Sequence, residues 1–564
     1  MESGNGTRRV AIFGGGISGL TVAHECAEAG LAVTVYEKAE RFGGKAIGYH
    51  LPEGHAFAGV PVEHAIRTYQ STYFSLYETM KRVPFTDARG AQRTVFDNVK
   101  PAPGLFMTAG TTKPDYLDHL PADMVVQTST KISAGDRIRS LFACMRAWGV
   151  PPHEIAAFVL MNLQYGMAGE SRKRRWGRTL TFEQFAKFDR RSAAYRGFVY
   201  GIAELATAVK PWASSMVAMD LLYRFVMGGR INAHNMASTV NILNGPTSDR
   251  FIDPWVAELR RMGVTLHAGT ALGTLDTLSG RVNGAALADG TRVEADAYVV
   301  AMPAKFVTDL LPAAQQHPSL HQVGNAWSNG FQIFLPRVTP SMQNSLTFAL
   351  PVSSPWKIIY MVQAAPLWDD VAMAKGVGAV ISACVTNMEQ PGILYGKALV
   401  HCTWDEVQAE IIAQIDLKET GEVMGAYLDP FLRYVSEEEY RRDDTYRLWD
   451  AGPLNPDGHR WVNASWHCIL LPKYYDHPIA PATGVAGLYL AGEYIDTAIH
   501  LPNMEKASQA GKLCAATVLH GLGLPFDAGR LTAPVYPFRG IRDLDEALFG
   551  GPKTAAKGPV FRAG

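Results

Sequence analysis

The sequence predicts an α/β protein in which a Rossmann-like nucleotide-binding domain is joined to a second α+β domain. A strand–glycine turn–helix–strand pattern over residues 9–37 is the first observation behind this. The second is the return of short apolar strands and helices in two distant stretches, 245–305 and 480–522. Length is the third: 564 residues exceed what one simple core organises, so two packed domains are expected.

The pattern opens with the apolar run Arg9–Phe13, which reads as a buried parallel strand. Gly14-Gly15-Gly16-Ile17-Ser18-Gly19 follows, then a helical stretch over 20–29 ended by Gly30, and a second strand, 32–36, that stops at Glu37. Gly14 permits the tight turn from strand to helix. Gly16 lets backbone approach a pyrophosphate, and Gly19 lets the helix lie close on the strand. The amides of Ile17 and Ser18 belong to the first helical turn, whose unpaired N–H groups and partial positive charge suit phosphate. Glu37 lies 18 residues past Gly19, where a carboxylate can accept the ribose hydroxyls. The glycine motif is weak evidence alone and strong in this context. The segment has no G-K-[ST] of a P-loop and no G-x-S-x-G elbow.

After Glu37 comes Lys38-Ala39-Glu40-Arg41-Phe42-Gly43-Gly44-Lys45. Here the sequence resembles the flavoprotein superfamily of amine oxidases and phytoene-type desaturases, whose members follow the second strand with E-x-x-x-x-x-G-G-R or a close variant. The run 487–493, ending Gly492-Glu493, and the helix opened by Pro502-Asn503-Met504-Glu505 are similar to its C-terminal flavin motif. The stretch 245–303 resembles its middle cofactor segment. In that stretch Asp253 is expected to cap a helix from Pro254, and Asn283-Gly284 and Asp289-Gly290 are expected to be turns between hairpin strands. The resemblance implies FAD as cofactor. It places Gly43 and Gly44 against the nucleotide, Lys45 at a position often held by arginine, Leu272 beside adenine, Glu493 at the ribityl or pyrophosphate, and Asn503 and Met504 at the ring's N1–C2=O edge. It implies a Rossmann-like FAD-binding domain from 8–75, 245–305 and 480–522, a substrate-binding domain from 76–244 and 306–479, and an irregular tail, 523–564.

The intervening stretches are rich in large apolar residues such as Trp148, Phe158, Tyr195, Trp356 and Trp368, a composition that favours a lipophilic substrate. A flavin oxidoreductase needs a substrate C–H positioned at the ring more than it needs a general base. By the resemblance, His64, Arg67, Tyr494 and His500 are the candidates to face ring or substrate, with His467, Tyr474 and Tyr475 beside them; Glu63 and Arg67 read equally as an i, i+4 ion pair. The G-G-K-A variant and the E-H-x-x-R segment, residues 63–67, look closer to the phytoene desaturase branch. The leading expectation is therefore dehydrogenation or desaturation of an apolar substrate. Amine oxidation to an imine with O2 and a redox-neutral flavin-dependent isomerisation are the alternatives.

Lys+Arg and Asp+Glu both total 53, which gives no electrostatic reason for a nucleic-acid partner. The basic run Arg172, Lys173, Arg174, Arg175 and Arg178 reads as a solvated surface, with an anionic membrane or ligand as its minor reading. Six cysteines without a C-x-x-C pair suit a reducing compartment, and the histidines show no metal-ligand spacing. A cytoplasmic protein, with peripheral membrane contact as an option, is the expectation. Ser436 with Glu439 matches a capping box.

Overall fold

The computed structural model describes residues 7–102, 104–108, 123–126, 129–131, 133–227, 230–232, 234–346, 348–533, 537–550 and 562–563. At its centre is a parallel sheet of strands β1 (Arg9–Phe13), β2 (Ala32–Tyr36), β3 (Thr265–His267), β4 (Ala297–Val300) and β5 (Leu488–Leu490), in the order β3-β2-β1-β4-β5. Strands from three distant parts of the chain thus pair side by side: Val10 lies opposite Val33 on one edge and Ala297 on the other. The middle strand is buried on both faces, which is why it reads as an unbroken apolar run.

Among the helices of the chain are α1 (Ile17–Glu28), α2 (Ser75–Arg82), α3 (Pro152–Met167), α4 (Glu170–Thr179), α5 (Ser215–Met227), α6 (Met504–Gly521) and α7 (Arg539–Phe549). Helices α1 and α6 pack closely because Gly511 has no side chain: a Cβ there would lie 2.6 Å from both the Ser18 carbonyl oxygen and Thr21 Cβ. A second, seven-stranded sheet runs in the order 123–126, 105–108, 348–351, 358–363, 379–385, 329–335, 425–428. It is antiparallel except where 348–351 runs parallel to 105–108. Trp148, Phe158 and Tyr195 of the apolar stretches are buried in one continuous core, and Trp356 in a second.

Several local expectations are corrected. Asn283-Gly284 does not turn the chain. It lies inside strand Arg281–Leu287, and the reversal is made by Ser279 and Gly280, both at positive φ. Strand pairing with Leu272–Leu278 overrides a strong turn dipeptide. Asp253 makes no cap, because a π-helical turn, Ser248–Ile252, runs straight into its helix and leaves no extended N-cap position. Ser436 accepts the Glu439 N–H at 3.1 Å, but the Glu439 carboxylate turns to the Tyr446 hydroxyl at 2.8 Å, so the capping box is half formed. The tail is not wholly irregular: it contains α7. The basic run on α4 is solvated only in part: Arg175 and Arg178 are exposed, but the other three are buried or ion-paired. Lys173 is buried, Arg172 pairs with Asp545 at 2.6 Å, and Arg174 pairs with Asp496 at 3.0 Å and Glu170 at 2.9 Å.

Candidate functional site

The glycine turn after β1 is shaped by close backbone contacts. Gly14 sits at φ +114°, its N–H donates to the Tyr36 carbonyl at 2.8 Å, and a Cβ would lie 2.3 Å from the Ala301 carbonyl oxygen. A Cβ on Gly19 would lie 1.9 Å from the Gly14 carbonyl oxygen. At Gly16 the situation is the reverse, since a Cβ would meet only Gly44 Cα, at 3.8 Å. That side of the turn is open.

Helix α1 starts at this opening with no side-chain cap at Gly16 and no acidic residue in its first turn. Its first N–H groups, including those of Ile17 and Ser18, therefore lack the usual capping oxygen. The Ser18 hydroxyl is buried without a partner. Gly43 closes the other wall by donating its N–H to the Gly15 carbonyl at 2.8 Å. An uncapped helix end facing a groove walled by glycine backbone suits an anionic phosphate chain.

Glu37 sits beside this groove. Its carboxylate accepts the N–H of Gly15 at 2.6 Å and of Ala39 at 2.9 Å. Its backbone joins the middle stretch, donating to the His267 carbonyl and accepting from Thr270 N–H at 2.7 Å. Leu272, half-buried, begins the hairpin that follows. Lys38 lies over the Phe306 ring at 4.6 Å.

Lys45 reaches the C-terminal motif: its ammonium pairs with Glu493 and donates to the Trp466 carbonyl at 3.0 Å. Arg67 donates to the carbonyls of Lys45 and Ile47. The expected Glu63–Arg67 pair is not formed. Pro61–Glu63 is a strand, so the i, i+4 spacing has no helical geometry, and Glu63 instead accepts the Thr247 N–H at 2.7 Å. Burial pushes the Glu63 carboxyl up to about 7, against the pull of the Arg67 charge.

His64 has both ring nitrogens engaged, Nδ1 at 2.6 Å from Asp429 and Nε2 at 3.3 Å from the Ser465 hydroxyl. Gly492 sits at φ +148°, where a Cβ would lie 2.7 Å from the Tyr494 ring. Tyr494 is buried with no partner for its hydroxyl, and its carbonyl accepts the Tyr474 hydroxyl at 2.6 Å. Asn503 caps α6, accepting the Lys506 N–H at 2.8 Å, and Met504 is the first helical residue.

His500 is buried, with its N–H on Asp220 at 2.9 Å, its ring 5.7 Å from that of Tyr475, and no partner at Nδ1. Desolvation, then the charges of Arg174, Lys506, Lys173 and Arg224, holds its imidazole neutral, well below the usual range. Burial also depresses His467, to about 4.

Two residues take roles that the sequence did not assign to them. Glu505 accepts the N–H groups of Ser75 and Leu76, each at 2.9 Å, and so caps α2, whose own N-cap residue, Phe74, has no acceptor. Lys506 is fully buried, donates to the Ile499 carbonyl at 2.8 Å, and is pushed down by burial to about 8. An acid and a lysine in a helix's first turn carry no sequence signal of such partners. Among the described residues no cluster of metal-ligating side chains occurs.

Comparison with known proteins agrees with this architecture. Residues 12–83 match the family of NAD(P)-binding Rossmann-like domains. No curated protein sequence matches the chain. The fold is similar to putrescine oxidase with putrescine bound (14% identity, 91% of this chain and 99% of that one, TM-score 0.59). It is similar to cyclohexylamine oxidase from Brevibacterium oxydans IH-35A (12% identity, 92% and 100%, TM-score 0.56) and to an oxidoreductase from Methanosarcina mazei (12% identity, 89% and 98%, TM-score 0.54). The chain thus combines a Rossmann-like nucleotide-binding segment with a second domain, in the fold that these oxidases share.

Proposed function

We propose that the protein is an FAD-dependent oxidoreductase that dehydrogenates or desaturates an apolar organic substrate at a C–H bond. The open groove at Gly16 carries the reading: an uncapped α1 terminus, a buried unpartnered Ser18 hydroxyl and the Glu37 carboxylate stand together beside Gly43 and Gly44. Those residues fit a dinucleotide, Glu37 holding ribose and the Ile17 and Ser18 amides phosphate, with Lys45, Glu493, Asn503 and Met504 along the rest of it. Residues 8–75, 245–305 and 480–522 form the cofactor half in this reading. When bound, FAD supplies the two-electron acceptor for the substrate hydride.

The chain's own contribution is binding, orientation and exclusion of water. The start of α6 presents a partial positive charge to the ring edge. Tyr475, Tyr494 and His500, all buried with an unpartnered polar atom, fit the wall beside it. Burial and a neutral His500 suit an uncharged substrate, because the arginines near it are already matched: Arg174 pairs with Asp496 and Glu170, and Arg224 with Asp220.

The second reading, oxidation of an amine, draws on the likeness to putrescine oxidase and cyclohexylamine oxidase. The purified protein is expected to be yellow with a flavin spectrum, and a lipophilic substrate is expected to bleach that band without oxygen. Peroxide released with an amine panel selects the second reading, and a colourless protein that takes up no FAD overturns both.

A further inference from the structure

Helix α7 is docked the opposite way round from an ordinary surface helix. Its polar side faces the protein: Asp545 accepts the Gly169 N–H at 2.8 Å and pairs with Arg172, while Glu546 accepts the N–H and hydroxyl of Ser171. Both carboxylates thereby satisfy the N-terminus of α4. Ile541, Leu544 and Leu548, spaced three and four apart, form one stripe turned to solvent at 48%, 58% and 65% exposure. The neighbouring helix α3 adds Leu160 at 64% and Leu163 at 37%. The exposed positions of α3, at 152, 153, 156, 160, 163 and 164, carry no Lys, Arg, Asp or Glu. Aliphatic side chains exposed in this way on two helices that touch mark an interaction surface.

We propose that this face seats on an anionic phospholipid bilayer. Charge selects the occupant. Residues 550–564, which follow α7 directly, contain Lys553, Lys557 and Arg562 and no acid. Arg562–Ala563 pairs with Thr532–Ala533, the strand that precedes α7 in the chain. Arg175 is exposed beside α7, while Arg539 and Asp543, both exposed on the helix itself, offset each other at 3.9 Å. Apolar burial plus basic charge is the two-signal combination that holds a protein on an acidic membrane surface. A second copy of the chain fits less well. A two-fold contact through this face would bring two basic segments together, and the stripe lacks the Trp and Tyr anchors typical of protein interfaces. The contact is peripheral, because no helix among the described residues is long and apolar enough to cross a membrane. Helix α4 also packs on the 472–476 turn that carries Tyr475, which sets the lipid face one helix away from the candidate site.

The test is flotation of the full-length protein with vesicles of phosphatidylcholine alone and of phosphatidylcholine mixed with phosphatidylserine. The natural chain is expected to float with the acidic vesicles, weakly or not at all with the neutral ones, and to lose binding as salt rises. The variant Ile541→Ser/Leu544→Ser/Leu548→Ser is expected to bind at least about tenfold more weakly. Lys553→Gln/Lys557→Gln is expected to weaken binding to acidic vesicles only. Failure of the natural chain to float overturns the proposal, as does equal binding by the triple variant. A solution dimer that the triple variant splits, without vesicle binding, assigns the face to a second copy and overturns it too. Lipid binding is read independently of colour or turnover, so its failure is distinct from failure of the flavin reading.

Discussion

The Glu505 carboxylate lies 2.9 Å from the Ser75 amide, 430 residues away in the chain. Its other oxygen takes the Leu76 amide, so the first turn of the helix proposed to face the flavin also caps the start of helix α2. Both amides are buried, and charged hydrogen bonds of this type contribute about 1.5–3 kcal/mol each. Glu505→Ala is expected to destabilise by about 2–4 kcal/mol, and Glu505→Gln, which keeps one acceptor, by roughly half as much. Urea unfolding at neutral pH measures both, and an effect below about 0.5 kcal/mol for Glu505→Ala would show the pair to be incidental.

Gly14 and Gly16 are expected to separate folding from cofactor retention. A side chain at Gly14 collides with the Ala301 carbonyl and demands a positive φ, so Gly14→Val is expected to cost more than about 2 kcal/mol. One at Gly16 enters the open groove. Gly16→Val is therefore expected to unfold within about 1 kcal/mol of the natural chain yet to purify colourless. Thermal unfolding and the flavin spectrum of both proteins decide the matter, and a yellow Gly16→Val protein would remove phosphate from that groove.

This contrast also shows why part of the site was legible in the sequence. Glycines at 14, 16 and 19 are dictated by backbone sterics within a short span, and an acid after β2 follows from the same unit. The basic run on α4 misled because its counter-charges, Asp496 and Asp545, arrive from more than 300 residues away, and local composition carries no trace of them. Asn283-Gly284 misled for a related reason: a local turn preference yields to strand register set by Leu272–Leu278. The burial of Lys506 and the caps supplied by Glu505 exist only once α6 is docked against α2 and the 495–502 loop.

Two buried groups give opposite pH signatures. Lys506 is depressed to about 8, so above that pH the folded chain binds fewer protons than the unfolded one, and its contribution to stability rises with pH up to its ordinary value near 10.5. Glu63 is raised to about 7, so between about 4.5 and 7 the folded chain binds more protons, and its contribution falls as pH rises. Each window spans up to about 3 kcal/mol. Denaturant curves of Lys506→Met minus the natural chain are expected to slope only above pH 8. Those of Glu63→Gln are expected to show a variant that gains relative stability between pH 5 and 7. Flat differences in both would mean that neither side chain is as dry as its surroundings suggest.

The Lys45–Glu493 pair joins the N-terminal and C-terminal motifs, and both side chains are partly exposed. Its direct effect on stability is therefore expected to stay within about 1 kcal/mol. Cofactor retention is the more telling measurement. If lysine and glutamate position each other along one bound dinucleotide, Lys45→Met and Glu493→Gln each loosen FAD, and the double variant is hardly worse than either single one, because the first change has already released the second residue. Additive losses would instead mean that each side chain meets the cofactor independently. Fluorescence titration of apoprotein with FAD across the four proteins of this cycle separates the two. Only the non-additive outcome supports a single cofactor path running from Gly44 to Glu493 through one shared ion pair.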